Sequence, residues 1–554
     1  MGRMESQRNP SEVTMNRKCQ FAAILVILGI CLCLGPARAQ DMVFTTNETG
    51  QAAAPPPPAQ GPPSEALANA LRLYQQEKYA QASVQFQRIV DGETGDQPAN
   101  VQKAQFFLGK CLYHLKFYQA ALGVFEQIVN MTTGHLYFQA TLQWLAQLAR
   151  ELPEPADIIG LVGKYGDSIS VLQEFNTSET KDLYNELLFL MGRYWYRQGE
   201  FAKARDFFLE VNKDSDLFVQ AVFFAGVTHV RERRAEPAAK AFKSIVDKFE
   251  DMLFLNSEEE RFLNLAWLSL ARIYYSTKHW DSAVEAWNKI PQSSEYYLDA
   301  LMEESWAYFQ VEQLDRALGN VHTLNSPFFD TSFYPESIVL KAVIYFNMCM
   351  YEDAQITIDK FSKEYQPIQD ELTQLMKKYQ DNLAFFEFLK LVRQEKVDVK
   401  PRILRIIKTA LGDRTLLRNI EYVDHLDEEM DRLKKMPPAF INSGVGARIQ
   451  QDIAAARSVA VDNTGNLAKS RYERLLEELR DYLNQATRIQ IEILNAIRGQ
   501  LTAEIANEQT LNAKKTAEQE VESDAEHVLW PFEGEFWRDE LGYYRQPISS
   551  KCGR

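Results

Sequence analysis

Carboxylates and aromatic side chains are concentrated near the C-terminus, in the stretch EGEFWRDELGYYRQ that spans residues 533–546. Glu535 and Asp539 lie two positions on either side of Trp537. Two carboxylates beside an aromatic ring can divide acid and base roles when their environments separate their pKa values. The same composition is also typical of a folded end cap or of a segment that docks on another protein. The choice between these three depends on the elements that the rest of the chain builds.

The remaining sequence offers little other chemistry. Its seven histidines are never three or four positions apart, so no helix presents a pair of metal-ligating imidazoles. Beyond residue 39 there is no CxxC pair and no glycine-rich phosphate loop. Carboxylate pairs such as Glu303-Glu304 and Glu477-Glu478 fall on predicted helix faces, where we expect them to be solvated. We therefore predict no metal, no cofactor, no small-molecule substrate and no enzymatic activity. An enzyme that uses Glu535 or Asp539 as acid or base is the least favoured alternative.

The first 39 residues have the composition of a secretory signal peptide. Arg17 and Lys18 form a basic region, residues 21–34 an apolar core, and residues 37–39 a cleavage site of small residues. The apolar core is shorter than the roughly 20 residues that span a bilayer, which disfavours an uncleaved anchor. We expect export across the inner membrane, cleavage after Ala39, and no transmembrane segment in the mature chain.

The net charge limits the class of partner, and the cysteine content limits the source of stability. Removing residues 1–39 takes away five basic and two acidic residues, which leaves 56 basic and 74 acidic residues and a net charge of −18. Such a surface argues against nucleic acid or anionic lipid as the main partner. Cys111, Cys349 and Cys552 are the cysteines that remain, too few for a disulfide framework, so we expect packing to supply the stability.

A frame repeats seven times after a Pro- and Ala-rich linker at residues 40–64. Each copy has a small residue, an alanine twelve positions later and a large side chain four positions after the alanine. The small residues are Ala70, Gly109, Gly192, Gly226, Ala271, Ser305 and Ala342. The alanines are Ala82, Ala121, Ala204, Ala238, Ala283, Ala317 and Ala354, and the large side chains are Phe86, Phe125, Phe208, Phe242, Trp287, Val321 and Ile358. A long gap after the second copy leaves room for a degenerate copy around residues 142–162.

The frame predicts helical hairpins. The small residue lets the second helix cross closely, the alanine makes the matching contact, and the large residue fills the gap toward the next hairpin. A single hairpin cannot bury its apolar face, so neighbouring hairpins must stack into an all-α solenoid of seven to eight repeats over residues 65–365.

These segments resemble tetratricopeptide repeats (TPR). The best matches are FLGKCLYHLKFYQAALGVFEQI at residues 107–128 and FLMGRYWYRQGEFAKARDFFLEV at residues 189–211, with Leu108 and Gly109 at the helix crossing of the first. The resemblance covers about residues 64–365 and implies an all-α array that binds protein partners.

A second and weaker resemblance concerns the whole chain. An exported repeat array, the helical segment RYERLLEEL at residues 471–479 and the terminal WPFEGEFWRDELGYYRQ are similar to the secreted TPR proteins of myxobacterial adventurous gliding motility. This resemblance implies a role in a motility machinery of the envelope.

The inner face of such an array is lined by first-helix side chains one and four positions after the small residue. Here these are Lys110 with Tyr113, Arg193 with Tyr196, and Arg272 with Tyr275. A cation beside an aromatic ring, three times over, can hold an extended peptide that carries carboxylates and apolar side chains. The alternative is that each tyrosine is half-buried and each cation solvated.

The second half of the chain keeps helical periodicity without the frame. We divide it into a helical extension at residues 366–440, a long helical hairpin or coiled-coil-like segment at residues 441–522, and an aromatic tail at residues 523–554. An apolar stripe marks a long helix at residues 468–517, made of Tyr472, Leu476, Leu479, Leu483, Ala486, Ile489, Ile493 and Ile497. This helix either folds back on residues 447–461 or recruits a partner as a coiled coil.

Aromatic side chains in the tail should not stay exposed to water, since each would cost about 1.5–3 kcal/mol. The candidates for docking are Trp530, Phe532, Phe536, Trp537, Tyr543 and Tyr544. We expect the tail to pack on the C-terminal helices as an end cap, with docking on another protein as the alternative.

The sequence thus predicts a non-enzymatic scaffold in the periplasm that binds protein partners of the cell envelope through its groove and its helical C-terminal region. A position at the periphery of the outer membrane is compatible with this expectation. A part in gliding motility is the specific expectation. The alternative is a TPR factor for envelope assembly or cell-wall maintenance.

Overall fold

The computed structural model describes residues 62–249, 252, 254–329, 332–506, 532 and 534–552. The predicted signal peptide, most of the linker and Trp530 lie outside these residues. All regular elements in the described part of the chain are helices, as the periodicity predicts. No helix in these ranges is both long and apolar enough to cross a membrane.

The described residues form seven hairpins of two helices, numbered in chain order. Hairpins 1 and 2 are α1 (Glu65–Gln75) with α2 (Tyr79–Val90), and α3 (Pro98–His114) with α4 (Tyr118–Asn130). An irregular copy follows, made of α5 (Phe138–Glu151), α6 (Ile158–Val162) and short 3-10 turns. Hairpins 3 to 5 are α7 (Lys181–Arg197) with α8 (Phe201–Glu210), α9 (Phe218–Arg231) with α10 (Ala235–Phe249), and α11 (Ser257–Ser276) with α12 (Trp280–Trp287). Hairpins 6 and 7 are α13 (Tyr297–Gln310) with α14 (Leu314–Leu324), and α15 (Pro335–Asn347) with α16 (Tyr351–Lys378).

The frame alanines lie inside the hairpins, and all seven have 0% exposure. At Gly109, an added Cβ would lie 2.6 Å from the ring of Phe125, and at Gly226 it would lie 2.8 Å from the ring of Phe242. The large residue of the frame therefore packs directly on the small residue of its own hairpin, not only toward the next hairpin.

Every hairpin turns through one residue in the left-handed conformation, five positions before the frame alanine. These residues, with φ between 57° and 79°, are Glu77, Lys116, Gly199, Arg233, Lys278, Glu312 and Cys349. The next amide N–H donates back to the carbonyl five residues earlier at 2.8–3.0 Å, which closes a Schellman motif. Glycine is the residue that normally takes this conformation, yet it occupies only one of the seven turns.

The second half contains five more helices in the described ranges. These are α17 (Asn382–Arg393), α18 (Pro401–Ala410), α19 (Arg414–Lys434), the short α20 (Pro438–Ile441) and α21 (Gly444–Ala506). Helix α21 has 63 residues, so it is about 95 Å long at 1.5 Å per residue. The expectation of a helix folded back on residues 447–461 is wrong, because this segment belongs to the same continuous helix as the stripe.

The apolar stripe of α21 is covered within the chain. Tyr472, Leu479 and Ile493 have 0% exposure and pack against hairpins 6 and 7, α17 and α18. The Tyr472 hydroxyl donates to the Leu372 carbonyl at 2.9 Å. At Gly465 the backbone of α21 passes so close to the start of α17 that a Cβ would collide with the carbonyl of Asn382.

The described residues form three apolar cores along the molecule. The first joins hairpins 1 to 3, with Ala221 and Ala225 of hairpin 4, to α19, α20 and the first half of α21. The last joins hairpins 6 and 7 to α17, α18 and the second half of α21. The middle core consists of hairpins 4 and 5 with part of α13 and contains no residue of the C-terminal half. Helix α21 thus connects the two ends of the repeat array, and we call hairpins 4 and 5 (residues 218–287) the open middle.

Candidate partner-binding surfaces

Lys110 lies in a cage of aromatic rings between hairpins. Its Nζ is 5.0 Å from the ring centre of Tyr74, 4.7 Å from that of Phe107 and 5.2 Å from that of Trp144. Burial lowers the pKa of its ammonium group. Tyr113 is half-buried and contacts Trp144 edge-on. The sequence analysis left two alternatives for Lys110, a cation available in the groove or a solvated cation, and the structure shows neither.

The two predicted groove arginines are bound by carboxylates of neighbouring segments. Arg193 pairs with Glu154 of the irregular copy, and Arg272 forms a bidentate pair with Glu303 of hairpin 6 at 2.6 and 2.9 Å. The Trp287 indole N–H also donates to Glu303, at 3.3 Å. These ion pairs hold successive repeats together.

The tyrosines beside these arginines are buried to different degrees. Tyr196 is half-buried against Phe201 and Phe224, and Tyr275 has 9% exposure. Burial raises the pKa of both hydroxyls. The six residues lie in hairpins 2, 3 and 5, and the structure does not gather them into one cluster. Their role in partner binding stays a prediction, and in the free chain each cation has partners within the array.

The aromatic tail lies on hairpins 6 and 7. The ring of His322 stacks on Phe536 with centres 4.6 Å apart, and it meets Phe532 and Tyr544 edge-on at 4.5 and 5.0 Å. By contrast, Tyr543 is 70% exposed. Three of the predicted docking residues, Phe532, Phe536 and Tyr544, therefore contact one histidine of α14.

Trp537 is 58% exposed and donates its backbone N–H to the Tyr544 hydroxyl at 2.9 Å. Trp530 is the one predicted docking residue outside the described ranges. Asp539 is exposed and Glu535 half-buried, so neither is enclosed by the described residues. No group of three metal-binding side chains occurs in the described part of the chain.

Backbone groups of the tail are recognised along its length. The Tyr297 hydroxyl donates to the Leu541 carbonyl at 2.9 Å, and the Gly542 N–H donates to the Thr323 hydroxyl at 3.0 Å. Further on, the Gln546 N–H donates to the carbonyl of Asp315 at 3.1 Å. The tail is thus held as a 3-10 turn at Arg538–Glu540 followed by a stretch without regular structure. We call its binding site on the repeat array, formed by Tyr297, Asp315, Gly319 and Thr323, the seat.

This placement corrects the expectation that the tail caps the C-terminal helices. The seat requires a gap in α14, which Gly319 supplies: a Cβ there would collide with the Tyr544 carbonyl. Leu541 and Ile548 are 2% and 9% exposed, so both are anchored in the seat. Nothing local in the sequence links Gly319 to a segment more than 200 positions later.

A disulfide closes the end of the tail. Cys349, the left-handed turn residue of hairpin 7, pairs with Cys552 across 203 positions, with Cα atoms 5.0 Å apart. Cys111 is a buried free thiol. The expectation that packing alone supplies the stability is therefore corrected, because one covalent link joins the array to the tail.

A polar cleft of about 260 Å³ lies between the irregular copy, hairpin 3 and α19. Its charged lining consists of Arg150, Glu151, Glu154, Arg193, Arg418 and Glu421, and the imidazole of His425 also lines it. Burial opposes ionisation of Glu154, but Arg193 and Arg418 outweigh it and hold the pKa of this carboxyl below its usual range. The sequence frame gave no signal for this cleft, because the irregular copy and α19 lie outside the frame.

The profile of the tetratricopeptide repeat family matches residues 67–134, which are hairpins 1 and 2 and the start of the next segment. The chain contains tetratricopeptide repeats. No curated protein sequence matches it. The same hairpin geometry, with buried alanine and left-handed turn, recurs in all seven hairpins, so the TPR array extends to α16.

Several solved structures are similar. The apo form of RapI is 11% identical, with 67% of this chain and 98% of that chain covered and a TM-score of 0.33. A tetratricopeptide repeat protein from Parabacteroides merdae is 13% identical, with coverages of 54% and 93% and a TM-score of 0.28. The apo form of the quorum sensor NprR from B. thuringiensis is 12% identical, with coverages of 66% and 97% and a TM-score of 0.27. The profile match thus identifies a repeat whose arrays bind other proteins on extended surfaces.

Proposed function

We propose that this TPR protein is a non-enzymatic scaffold of the bacterial cell envelope, exported across the inner membrane, that holds protein partners on its repeat array. The observation that carries the proposal is the open middle. The core that hairpins 4 and 5 share contains repeat residues alone, while both ends of the array share their cores with later parts of the chain. Repeat arrays of this kind bind partners on extended surfaces, and the open middle is where such a surface remains.

Export is supported by two features. Residues 1–39 have the composition of a signal peptide. The Cys349–Cys552 disulfide fits an oxidising compartment outside the cytosol, because cytosolic thiols are kept reduced. Cell fractionation with a C-terminal tag tests this placement: the full chain should appear in the periplasmic or membrane fraction, and a chain without residues 2–39 should stay in the cytosol. A full chain that stays in the cytosol would overturn the envelope assignment.

The loop between α10 and α11 is the partner contact that we propose within the open middle. Phe254 is 91% exposed and Met252 is 51% exposed, and an aromatic anchor of this kind dominates many protein interfaces. Pull-down from envelope extracts with the full chain should recover a protein that is lost with the Phe254→Ala, Met252→Ala double variant.

Leu494→Ala is a matched control for that pull-down, since Leu494 is 58% exposed but lies on α21. This control should recover the same protein as the unmodified chain. Failure of the full chain to recover any protein would contradict the scaffold function. Equal recovery with the loop variant would contradict the proposed contact.

Within the envelope, we propose that the scaffold serves a gliding-motility machinery. The support is the similarity of the exported array, the helical segment at residues 471–479 and the aromatic tail to secreted TPR proteins of gliding myxobacteria. Deletion of the gene should reduce single-cell gliding while leaving growth rate and detergent resistance unchanged. Normal gliding combined with detergent sensitivity would contradict this role.

A further inference from the structure

The tail and hairpins 6 and 7 together have the features of a peptide and its binding site. The backbone of the tail donates to and accepts from the array, and two aliphatic side chains, Leu541 and Ile548, are buried in the seat. Recognition of this type combines backbone hydrogen bonds for affinity with pockets for spaced side chains. The seat thus selects a particular pattern of residues.

Glycine at position 542 is part of that pattern. Its φ is +90°, a conformation that L side chains rarely adopt, and a Cβ there would collide with the Tyr297 hydroxyl. Charge adds to the selection, because Lys551 lies 3.7 Å from Asp353 at the far end of the seat. An incoming segment must therefore match Leu541, Gly542 and Ile548, and a basic residue at the place of Lys551 adds a weaker, half-exposed ion pair.

We propose that this seat is a peptide-binding site for an aliphatic–glycine pair followed by a second aliphatic residue, and that the tail of a second copy of this chain occupies it when the Cys349–Cys552 disulfide is opened. The second copy is the occupant because its tail reproduces every contact that the structure shows. The inference does not depend on the proposed scaffold function, which concerns hairpins 4 and 5.

The disulfide decides when exchange between copies is possible. The chain's own tail competes with the tail of a second copy for the seat, at an effective concentration in the millimolar range. While the disulfide is closed, the second copy cannot displace it. Opening requires a dithiol reductant, which loses two electrons and two protons and becomes a disulfide, while Cys349 and Cys552 become thiols. Closing between two copies requires a disulfide oxidant, such as oxidised glutathione, which takes up those electrons and protons.

Two complementary full-length chains test the proposal. The acceptor carries Cys552→Ser and Leu541→Asp, which vacate its seat and leave Cys349 available. The donor carries Cys349→Ser and Gly319→Val, which exclude its own tail and leave Cys552 available. In a glutathione redox buffer, the mixture should form a covalent heterodimer on a non-reducing gel.

A donor that also carries Gly542→Val should form at least tenfold less heterodimer, because its tail cannot pass Tyr297. An acceptor that also carries Cys349→Ser should form none. A synthetic peptide of residues 532–552 replaces the donor in a second measurement that does not depend on donor folding, and it should be captured with the same dependence on Gly542. Absence of capture by the acceptor in both formats, or equal capture of the Gly542→Val tail, would overturn the proposal.

Discussion

The two ends of the TPR array and its middle are built from the same hairpins but have different surroundings. At the N-terminal end, Glu429 of α19 accepts the Gln119 N–H at 3.0 Å, and Phe440 stacks on Phe117 with ring centres 6.3 Å apart. At the C-terminal end, hairpins 6 and 7 carry the second half of α21 and the tail. Hairpins 4 and 5 lack such cover in their core.

This difference shows how one chain can be stable and still have a free surface. Hairpins in a solenoid contact only their neighbours, so terminal hairpins need a cap to avoid fraying. Here the C-terminal half supplies both caps and α21 connects them. Hairpins 4 and 5 share their core with no residue of the C-terminal half, so we expect them to be the least stable part of the array. Regions of low local stability are the ones that commonly bind partners.

The two caps also differ from each other. The N-terminal cap is noncovalent and contains a buried carboxyl group, and the C-terminal cap is fastened by a disulfide. Reduction should therefore act mainly on the second cap. A change of pH should act on both ends, because burial also raises the pKa of Glu304 in hairpin 6 to about 7 and raises the pKa of Glu336 in hairpin 7.

Loss of the disulfide should give the largest effect. The link closes a loop of about 200 residues, and Cys552→Ser should lower the stability of hairpins 6 and 7 by about 3–5 kcal/mol. Chemical denaturation followed by hydrogen exchange in α13 to α16 measures the change. The Cys349→Ser, Cys552→Ser double variant should add nothing to the single variant. A stability that is unchanged in Cys552→Ser would show that the tail does not fasten this end.

Raising the pH should weaken the N-terminal cap. Burial raises the pKa of Glu429 to about 8 despite hydrogen bonds from backbone N–H groups, so its stabilising contribution is complete below about 4.5 and is lost as the pH rises through about 8. At about 1.4 kcal/mol per pKa unit, the loss is on the order of 3 kcal/mol after allowance for structural relaxation. Denaturation curves between pH 5 and 9 should show this slope.

Glu429→Gln should reduce that slope, because the amide keeps an acceptor for the Gln119 N–H and does not ionise. The part of the slope that remains comes from buried carboxyl groups such as Glu304, whose pKa burial raises to about 7. Glu428→Gln is the matched control, since Glu428 is the exposed neighbour on the same helix. An identical slope in the two variants would contradict the assignment of the pH dependence to Glu429.

The connection between the caps should be sensitive to one glycine of α21. Gly465→Ala places a Cβ against the Asn382 carbonyl and should cost about 1–3 kcal/mol. Gly499→Ala on the same helix meets no atom within 4 Å and should stabilise by about 0.5–1 kcal/mol through helix propensity. Thermal denaturation of both variants measures these changes. A similar gain in stability in both variants would show that α21 does not cross α17 as described.

The smallest effect is expected at Lys110. Lys110→Met keeps the length of the side chain and should change stability by less than about 1 kcal/mol, because the lost cation–π attraction is offset by relief from burying a charge. A pull-down with this variant sharpens the comparison of end and middle. If the variant loses the partner protein at unchanged stability, hairpin 2 takes part in binding. If it recovers the partner fully, the result favours the open middle as the binding surface.

Local volume patterns made the hairpins predictable. A buried alanine such as Ala121, with a small residue twelve positions before it, depends only on how two adjacent helices cross, and the sequence contains that information. The left-handed turns were not predictable from composition, since six of the seven positions, including Lys116, are not glycine. There the two flanking helices determine the turn.

Long-range contacts were not predictable in the same way. The frame placed Arg193 and Arg272 correctly on first helices, but their partners Glu154 and Glu303 lie in neighbouring segments. The seat of the tail and the pairing of Cys552 depend on contacts across more than 200 positions, for which a single sequence holds no periodic signal.

The difference between capped ends and open middle can be measured directly by native-state hydrogen exchange. Amides in α9 to α12 should exchange through openings of lower free energy than amides in α3 and α4 or in α15 and α16. In a chain with Gly465→Ala, amides at the two ends should lose most of the protection, and their exchange should become similar to that of amides in α9 to α12. Uniform protection along all seven hairpins, unchanged by that substitution, would contradict the account.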